Sequence, residues 1–381
     1  MSNDCTKILL VYIEPTPYIV ALINAIIPLF VGQIDVVFLE ENRSQNWNIR
    51  YDKNWILFPE KRMDQFRFIM QCFFKKKYHM IHVAGWGERR CLLFIILAKL
   101  FRIPVIVESD TPMHHQVNGW KRLLKKLFYP LLFNYINLFL PGGTRQAKYI
   151  EHYGVNSNRI IPVQMTVDVE GIRKISKKLT SIDKQRIHKY LNISEENIIF
   201  LFVGRLVHEK GLADLVLAFR NITHKKITLL IVGSGEMQVQ IQNISRQDDR
   251  ISYAGRLEGN ALIEAFFIAH VVVLPSHFEP WGLVVNEAMA LGKAVIVSDR
   301  VGCIDDLVAD GETGFVVKAG HPENLQAVME LIIKNPEAVA MMGKKAAQKI
   351  STWTLENEAK NICQAWAQII KIKVFSHDLN S

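Results

Sequence analysis

The chain has 381 residues, of which 49% are hydrophobic and 22% charged. That length suggests two domains of roughly 100–200 residues each, and that composition excludes whole-chain disorder and low-complexity architectures. The net charge of +9 sits entirely in the first part: residues 1–165 hold 21 Lys+Arg against 12 Asp+Glu, and the remainder balances. A basic half attracts nucleic acid, anionic lipid or a phosphorylated substrate.

The N-terminus has no basic n-region followed by a small-residue cleavage site, so no signal peptide is expected. Lys7–Ile13 is a short apolar, β-branched run, the pattern of a strand buried on both faces. The loop Glu14-Pro15-Thr16-Pro17-Tyr18 follows it. Further strands are expected at Ile34–Leu39, Met80–Ala84, Pro104–Glu108 and Leu138–Pro141, with helix-length segments between several of them. Alternation of this kind implies a parallel sheet with right-handed crossovers. Leu92–Leu97 and Leu127–Leu140 are too short or too interrupted to cross a membrane, which takes about 20 apolar residues. Asp110 follows the fourth of these strands, and His114 and His115 come just after it.

Gly119–Phe133 reads GWKRLLKKLFYPLLF. Trp120, Leu123, Leu124, Leu127 and Leu131 recur at helical spacing, with Lys121, Arg122, Lys125 and Lys126 on the other side. Such a helix either lies on an anionic bilayer or packs its apolar side on the sheet. Phe66–Tyr78 is a second candidate of the same type. Gly154 to about Tyr190 reads as a linker.

The strand pattern restarts at Ile198–Val203 and continues through Ile227–Val232, Ile251–Ala254, Val271–Leu274, Ala294–Val297 and Gly314–Val317. In open parallel sheets ligands bind beyond the carboxyl ends of the strands. After Ile198–Val203 comes Gly204-Arg205-Leu206-Val207-His208-Glu209-Lys210-Gly211. Gly204 suits a tight turn, and Arg205 and Lys210 place two cations where a diphosphate could be held; a solvated loop carries the same residues. After Ile227–Val232, Gly233-Ser234-Gly235 lets a backbone approach a ligand. After Val271–Leu274 comes Pro275-Ser276-His277-Phe278-Glu279-Pro280-Trp281-Gly282. A helix opening at Gly282 would offer the N–H groups of Gly282, Leu283 and Val284 to a phosphate. Glu287, inside that helix, suits a ribose diol, since a carboxylate accepts two hydroxyl hydrogen bonds. Two surface glutamates are the plainer alternative. Leu355–Ile372 is helical in pattern. The five cysteines are scattered and form no C-x-x-C pair, so free buried thiols in a reducing cytoplasm are expected.

The run SHFEPWGLVVNEAMALGKAVIVSD resembles the E-x7-E region of retaining family-four glycosyltransferases (glycosyl transferases group 1) of bacterial polysaccharide or glycolipid synthesis. VGRLVHEKG resembles their phosphate-binding loop, IVGSGE the next loop, and VGCIDDLVADGETGFVV the segment after the glutamates. The resemblance covers roughly Ile198 to Glu330. It implies a GT-B fold: two Rossmann-like parallel-sheet domains facing a cleft, at 1–165 and 166–354, with a helix at 355–381 crossing back to the first. It further implies a retaining, metal-independent hexosyltransferase using a nucleotide-sugar donor, UDP favoured over GDP, with a glycan or lipid-linked acceptor and no cofactor. Arg205 and Lys210 would then neutralise the diphosphate, Glu287 hold the ribose, and Glu279 the donor sugar, with Gly204, Gly235, Gly282, Leu283 and Val284 at the nucleotide.

Two departures stand out. The Glu14–Tyr18 loop replaces the Gly-Gly loop of many members, and Asp110 occupies the position where many have His; Asp110 is assigned to the site as a hydrogen-bond acceptor. No Asp-x-Asp occurs, Asp168-Val169-Glu170 being nearest, so no metal is expected. The expected location is cytoplasmic, peripheral on the inner face of the membrane through 119–133, with no nucleic-acid partner. A GT-B sugar-nucleotide epimerase and a basic nucleic-acid-binding protein are the competing readings.

Overall fold

A computed structural model describes residues 6–41, 52, 54–113 and 119–370, apart from the side chain of Lys121. The chain divides into two compact units, Met1–Met165 with Leu355–Ser381, and Thr166–Thr354.

The first unit is built on six parallel strands: β1 (Lys7–Tyr12), β2 (Gln33–Phe38), β3 (Trp55–Leu57), β4 (Met80–Ala84), β5 (Val105–Ser109) and β6 (Leu138–Pro141). Their order is β3-β2-β1-β4-β5-β6. Period-2 alternation sends Leu9 and Val11 of β1 into one core, and Ile8, Leu10 and Tyr12 into the other. The helix Leu355–Ile370 covers the second face with Ala359, Ile362, Cys363 and Trp366. Trp366 is fully buried, and its indole N–H donates to Nδ1 of His82 at 3.2 Å.

The second unit repeats the topology with β7 (Ile198–Val203), β8 (Ile227–Val232), β9 (Ile251–Gly255), β10 (Val271–Leu274), β11 (Ala294–Ser298) and β12 (Gly314–Val317). The order is β12-β11-β10-β7-β8-β9. Numbered within its own unit, each sheet runs 3-2-1-4-5-6, the Rossmann order, and this is the GT-B pair of folds. Each therefore has a switch point where connections diverge: between β1 and β4, and between β7 and β10.

Two expectations need correction, and one element is additional to them. Gly154–Tyr190 is not a plain linker; it contains the helices Val169–Ser176 and Ser181–Tyr190. The second starts at a capping box in which Thr180 and Asp183 satisfy each other's backbone N–H groups. Phe66–Tyr78 is not one helix, because Arg62–Met70 passes into a π-helical turn at Gln71–Lys75. The strand β3 was not anticipated.

The helix Gly119–Phe133 forms as expected. Phe133 is buried, with Tyr129 and Leu132 partly buried against the core beside it. Trp120 (62%), Leu123 (61%), Leu127 (60%), Phe128 (62%) and Leu131 (63%) remain exposed. Packing on the sheet therefore does not account for the apolar stripe. Lys125 turns back instead, its ammonium 3.3 Å from the Tyr149 hydroxyl. No helix among the described residues is long and apolar enough to cross a membrane. Cys72, Cys91, Cys303 and Cys363 are buried free thiols; Cys5 lies outside the described residues.

Candidate functional site

At the switch point of the second sheet, the loops after β7 and β10 come together. The His277 N–H donates to the Glu209 carbonyl at 2.8 Å. The Lys210 ammonium forms an ion pair with the Glu279 carboxylate, and both side chains are largely buried. The loop after β11 supports the same segment: Gly302 and Cys303 donate to the carbonyls of Glu279 and Trp281, each at 3.0 Å. Three strand ends thus fix the Glu279–Gly282 turn.

Gly282 caps the helix Leu283–Ala290 from a left-handed conformation, φ +99°. Any Cβ there would lie 3.0 Å from Val301 Cγ1, so both conformation and space favour glycine. Gly235 has φ +155°, and a Cβ on it would stand 2.6 Å from the Leu206 carbonyl oxygen. That close approach lets the β8 loop lie on the β7 loop, with Leu206 N–H donating to the Ser234 carbonyl at 2.9 Å. Gly204, expected to permit a tight turn, has no left-handed φ, and a Cβ there would meet only the Phe202 ring at 3.6 Å.

Glu287 sits in the second turn of the helix Leu283–Ala290 and is partly buried. Burial pushes its carboxyl up to about 7, because low-dielectric surroundings disfavour the charged form. Such a group gains from hydroxyl donors that replace lost water. Arg205 is exposed and forms no ion pair among the described residues. Of the two expected cations, Arg205 is thus unpaired among the described residues, and Lys210 is already matched by Glu279. After β9, Arg256 is likewise taken up locally, its Nε 2.6 Å from Glu258.

Residue reading missed a buried relay behind the site. The Trp281 indole N–H donates to Asn286 Oδ1 at 3.0 Å, the Asn286 amide to the Thr166 hydroxyl at 3.2 Å, and that hydroxyl to the Trp353 carbonyl at 2.9 Å. Trp281 also stacks on Trp353 with ring centroids 5.6 Å apart. These contacts join residues 120 and 187 positions apart, so no local spacing could signal them.

In the first unit, Asp110 is exposed just beyond β5. It lines a cavity of about 250 Å³ with Tyr12, Glu14, Tyr18, Glu108 and Glu358. Of these, Tyr12, Tyr18, Glu108 and Glu358 were not singled out from sequence, although Tyr12 and Glu108 lie at strand ends where ligands bind. His114 and His115 lie outside the described residues. Among the described residues no group of three His, Cys, Asp or Glu side chains is placed to hold a metal ion.

Residues 183–349 match the family model described as Glycosyl transferases group 1. A glycogen synthase of Mycobacterium tuberculosis is 30% identical over 174 residues, 44% of this chain and 41% of that protein. The chain thus spans less than half the length of that relative. The N,N'-diacetylbacillosaminyl-diphospho-undecaprenol alpha-1,3-N-acetylgalactosaminyltransferase of Campylobacter jejuni is 22% identical over 250 residues, 66% of this chain and 65% of that protein. Among solved structures, Anabaena Alr3699/HepE in complex with UDP superposes with a TM-score of 0.77 at 16% identity, covering 95% of this chain and 100% of that one. At that identity the likeness is one of fold.

Proposed function

We propose that this chain, whose residues 183–349 match the family model of group 1 glycosyl transferases, is a retaining glycosyltransferase. It moves a sugar from a UDP-sugar to a hydroxyl of a lipid-linked glycan at the inner face of a membrane. The observation that carries the reading is the convergence at the β7/β10 switch point. There a glycine-capped helix N-terminus, a carboxylate raised by burial and a cation-bearing loop lie on adjacent strand ends.

Each part has a task. The N–H groups of Gly282, Leu283 and Val284, at the positive end of a helix, suit the donor phosphates. Glu287 accepts the two ribose hydroxyls. Arg205 is available to the diphosphate, and Lys210 can transfer its ammonium from Glu279 to the phosphate oxygens when donor arrives. Glu279 then accepts hydroxyl protons of the donor sugar. Gly204 and Gly235 shape the backbone around the nucleotide, and Asp110 accepts a hydrogen bond from a sugar hydroxyl.

In the reaction the bond from the anomeric carbon to the donor phosphate breaks. A bond to the acceptor oxygen forms on the same face, and the acceptor proton passes to the departing phosphate. UDP leaves with added negative charge, which Arg205, Lys210 and the helix N-terminus oppose. No protein nucleophile and no metal are required. UDP is favoured over GDP because the HepE fold relative is described with UDP bound, and a lipid-linked acceptor because the Campylobacter relative's name specifies one. The exposed stripe of Gly119–Phe133 supports a membrane surface: each nearby Lys or Arg adds about 1 kcal/mol on an anionic bilayer.

The test offers a panel of UDP- and GDP-sugars with undecaprenyl-diphosphate-linked saccharides, in the presence of EDTA. The expected result is one UDP-sugar consumed, a product heavier by one hexose-type residue, and the donor's anomeric configuration kept. An inverted linkage, or donor isomerisation without transfer, would contradict the reading.

A further inference from the structure

We propose that Asn286 and Thr166 are positioning residues. Their hydrogen bonds lock Trp281, and through it the Glu279–Gly282 turn, to the two segments by which the chain enters and leaves the second unit. The inference rests on the donor reading of that turn and deepens it.

The hydrogen bonds can run in one direction only. An indole N–H only donates and a backbone carbonyl only accepts. Between these fixed ends the Asn286 amide must turn its oxygen to the Trp281 indole and its nitrogen to Thr166. The Thr166 hydroxyl must then point its proton at the Trp353 carbonyl. No flip of the amide and no rotation of the hydroxyl satisfies all three bonds. The stack of Trp281 on Trp353, with 26° between the rings, closes the path into a ring of four residues.

All four residues are buried, and Asn286 is completely so. Water is therefore not at hand to replace a lost bond, and a partner left unmade carries its full desolvation cost. This is what makes the ring a lock rather than a set of incidental contacts.

What the lock holds at one end is the donor turn. Trp281 stands between Glu279 and the Gly282 cap, and its carbonyl accepts the Cys303 N–H. Asn286 directly precedes Glu287 on the helix Leu283–Ala290. Successive helical side chains point about 100° apart, so an inward-fixed Asn286 sets the direction in which Glu287 leaves the helix. Glu279, Glu287 and the N–H groups of Gly282, Leu283 and Val284 are thereby held in one frame, ready for a ligand without the cost of ordering them. At the other end are the crossings. The chain passes between the units at Met165–Thr166 and Thr354–Leu355. Thr166 is the first residue of the second unit, and Trp353 is the last but one. A displacement at either crossing reaches the donor turn, and a ligand at the turn stiffens both crossing segments.

The test sets Thr166→Ser against Thr166→Val in the full chain. Serine keeps the hydroxyl and loses a methyl group; valine keeps the shape and loses the hydroxyl. Backbone amide exchange is read by mass spectrometry with and without UDP, and UDP affinity by calorimetry. The serine variant should match the wild type. In the valine variant, residues 278–287 should exchange about fivefold faster relative to β8, and UDP should bind about fivefold more weakly, the loss of one net hydrogen bond. UDP should slow exchange around Thr166 and Trp353 in the wild type and not in the valine variant. Trp281→Phe keeps a stacked ring without an indole N–H; it should repeat the valine result, and it decides the matter if Thr166→Val does not fold. A valine variant equal to the wild type in exchange and affinity would overturn the proposal and leave the donor reading standing. So would a serine variant that loses as much as valine, or an exchange rise spread evenly over the chain, since either marks packing or general stability. Faster exchange confined to 278–287 in a protein whose wild type binds no UDP would support the lock and overturn the donor reading.

Discussion

The ammonium of Lys210 and the carboxylate of Glu279 are paired across two loops that leave adjacent strands of the second sheet. Each group has a proposed partner in the donor, one the diphosphate and the other the sugar. In the ligand-free protein each neutralises the other, so neither charge is left unpaired in a largely buried position.

Removing one member therefore exposes the other to the full cost of burial. Lys210→Ala and Glu279→Ala should each destabilise the protein by about 2–4 kcal/mol, and the double variant by less than their sum. Urea unfolding of the three variants checks this. In turnover assays both single variants should lose at least a hundredfold in kcat (about 2.7 kcal/mol). Additive losses in stability would show that the pair does not couple.

Glu287 ties stability to pH. Its carboxyl is raised from 4.5 to about 7 in the folded chain. The folded state thus holds the proton more tightly than the unfolded one. The proton-linked stabilisation is complete below about 4.5 and disappears as pH rises through about 7. At pH 8 Glu287→Gln should accordingly stabilise the ligand-free protein, by about 1–3 kcal/mol, while weakening nucleotide binding. Nucleotide binding to the wild type should release protons near pH 6.5, because the diol favours the charged carboxylate. Calorimetry in buffers of different ionisation enthalpy measures that release, which should vanish in Glu287→Gln.

The exposed residues of Gly119–Phe133 predict flotation with vesicles of phosphatidylglycerol and phosphatidylethanolamine at low salt. Binding should weaken as salt rises toward 0.5 M. The combined change Trp120→Ser, Leu127→Ser and Leu131→Ser should remove it without altering UDP affinity. Vesicle binding unchanged in that variant would place the contact elsewhere.

Gly235→Ala forces a methyl group to within 2.6 Å of the Leu206 carbonyl oxygen at φ +155°. Strain of this kind should lower stability by about 1–3 kcal/mol and weaken nucleotide binding by separating the β7 and β8 loops. Gly204→Ala, where a Cβ meets only a ring at 3.6 Å, should be close to neutral for stability. Thermal unfolding of both variants separates the two cases.

The second sheet was legible in sequence because its strands are buried on both faces and read as unbroken apolar runs, IIFLFV and ITLLIV among them. β3 was not, because Trp55–Leu57 is three residues of an edge strand with little burial to mark it. The helix Ser181–Tyr190 hid in polar composition; the Thr180–Asp183 capping pair was its only local sign. The glycine turns and the helix opening after Gly282 could be placed by residue type and strand end. The Lys210–Glu279 pair, 69 residues apart, and the Trp281–Asn286–Thr166 relay could not, since they depend on which strands lie side by side. The hydrogen bond from the Trp366 indole to His82 likewise needs the C-terminal helix in place before it exists.

The most direct measurement is calorimetric titration of UDP and of GDP into the wild type and Glu287→Ala. Micromolar binding of UDP, weaker binding of GDP and loss of both in the variant is the predicted result. Absence of binding by either nucleotide, or equal UDP affinity in Glu287→Ala, would contradict a donor site at the β7/β10 switch point.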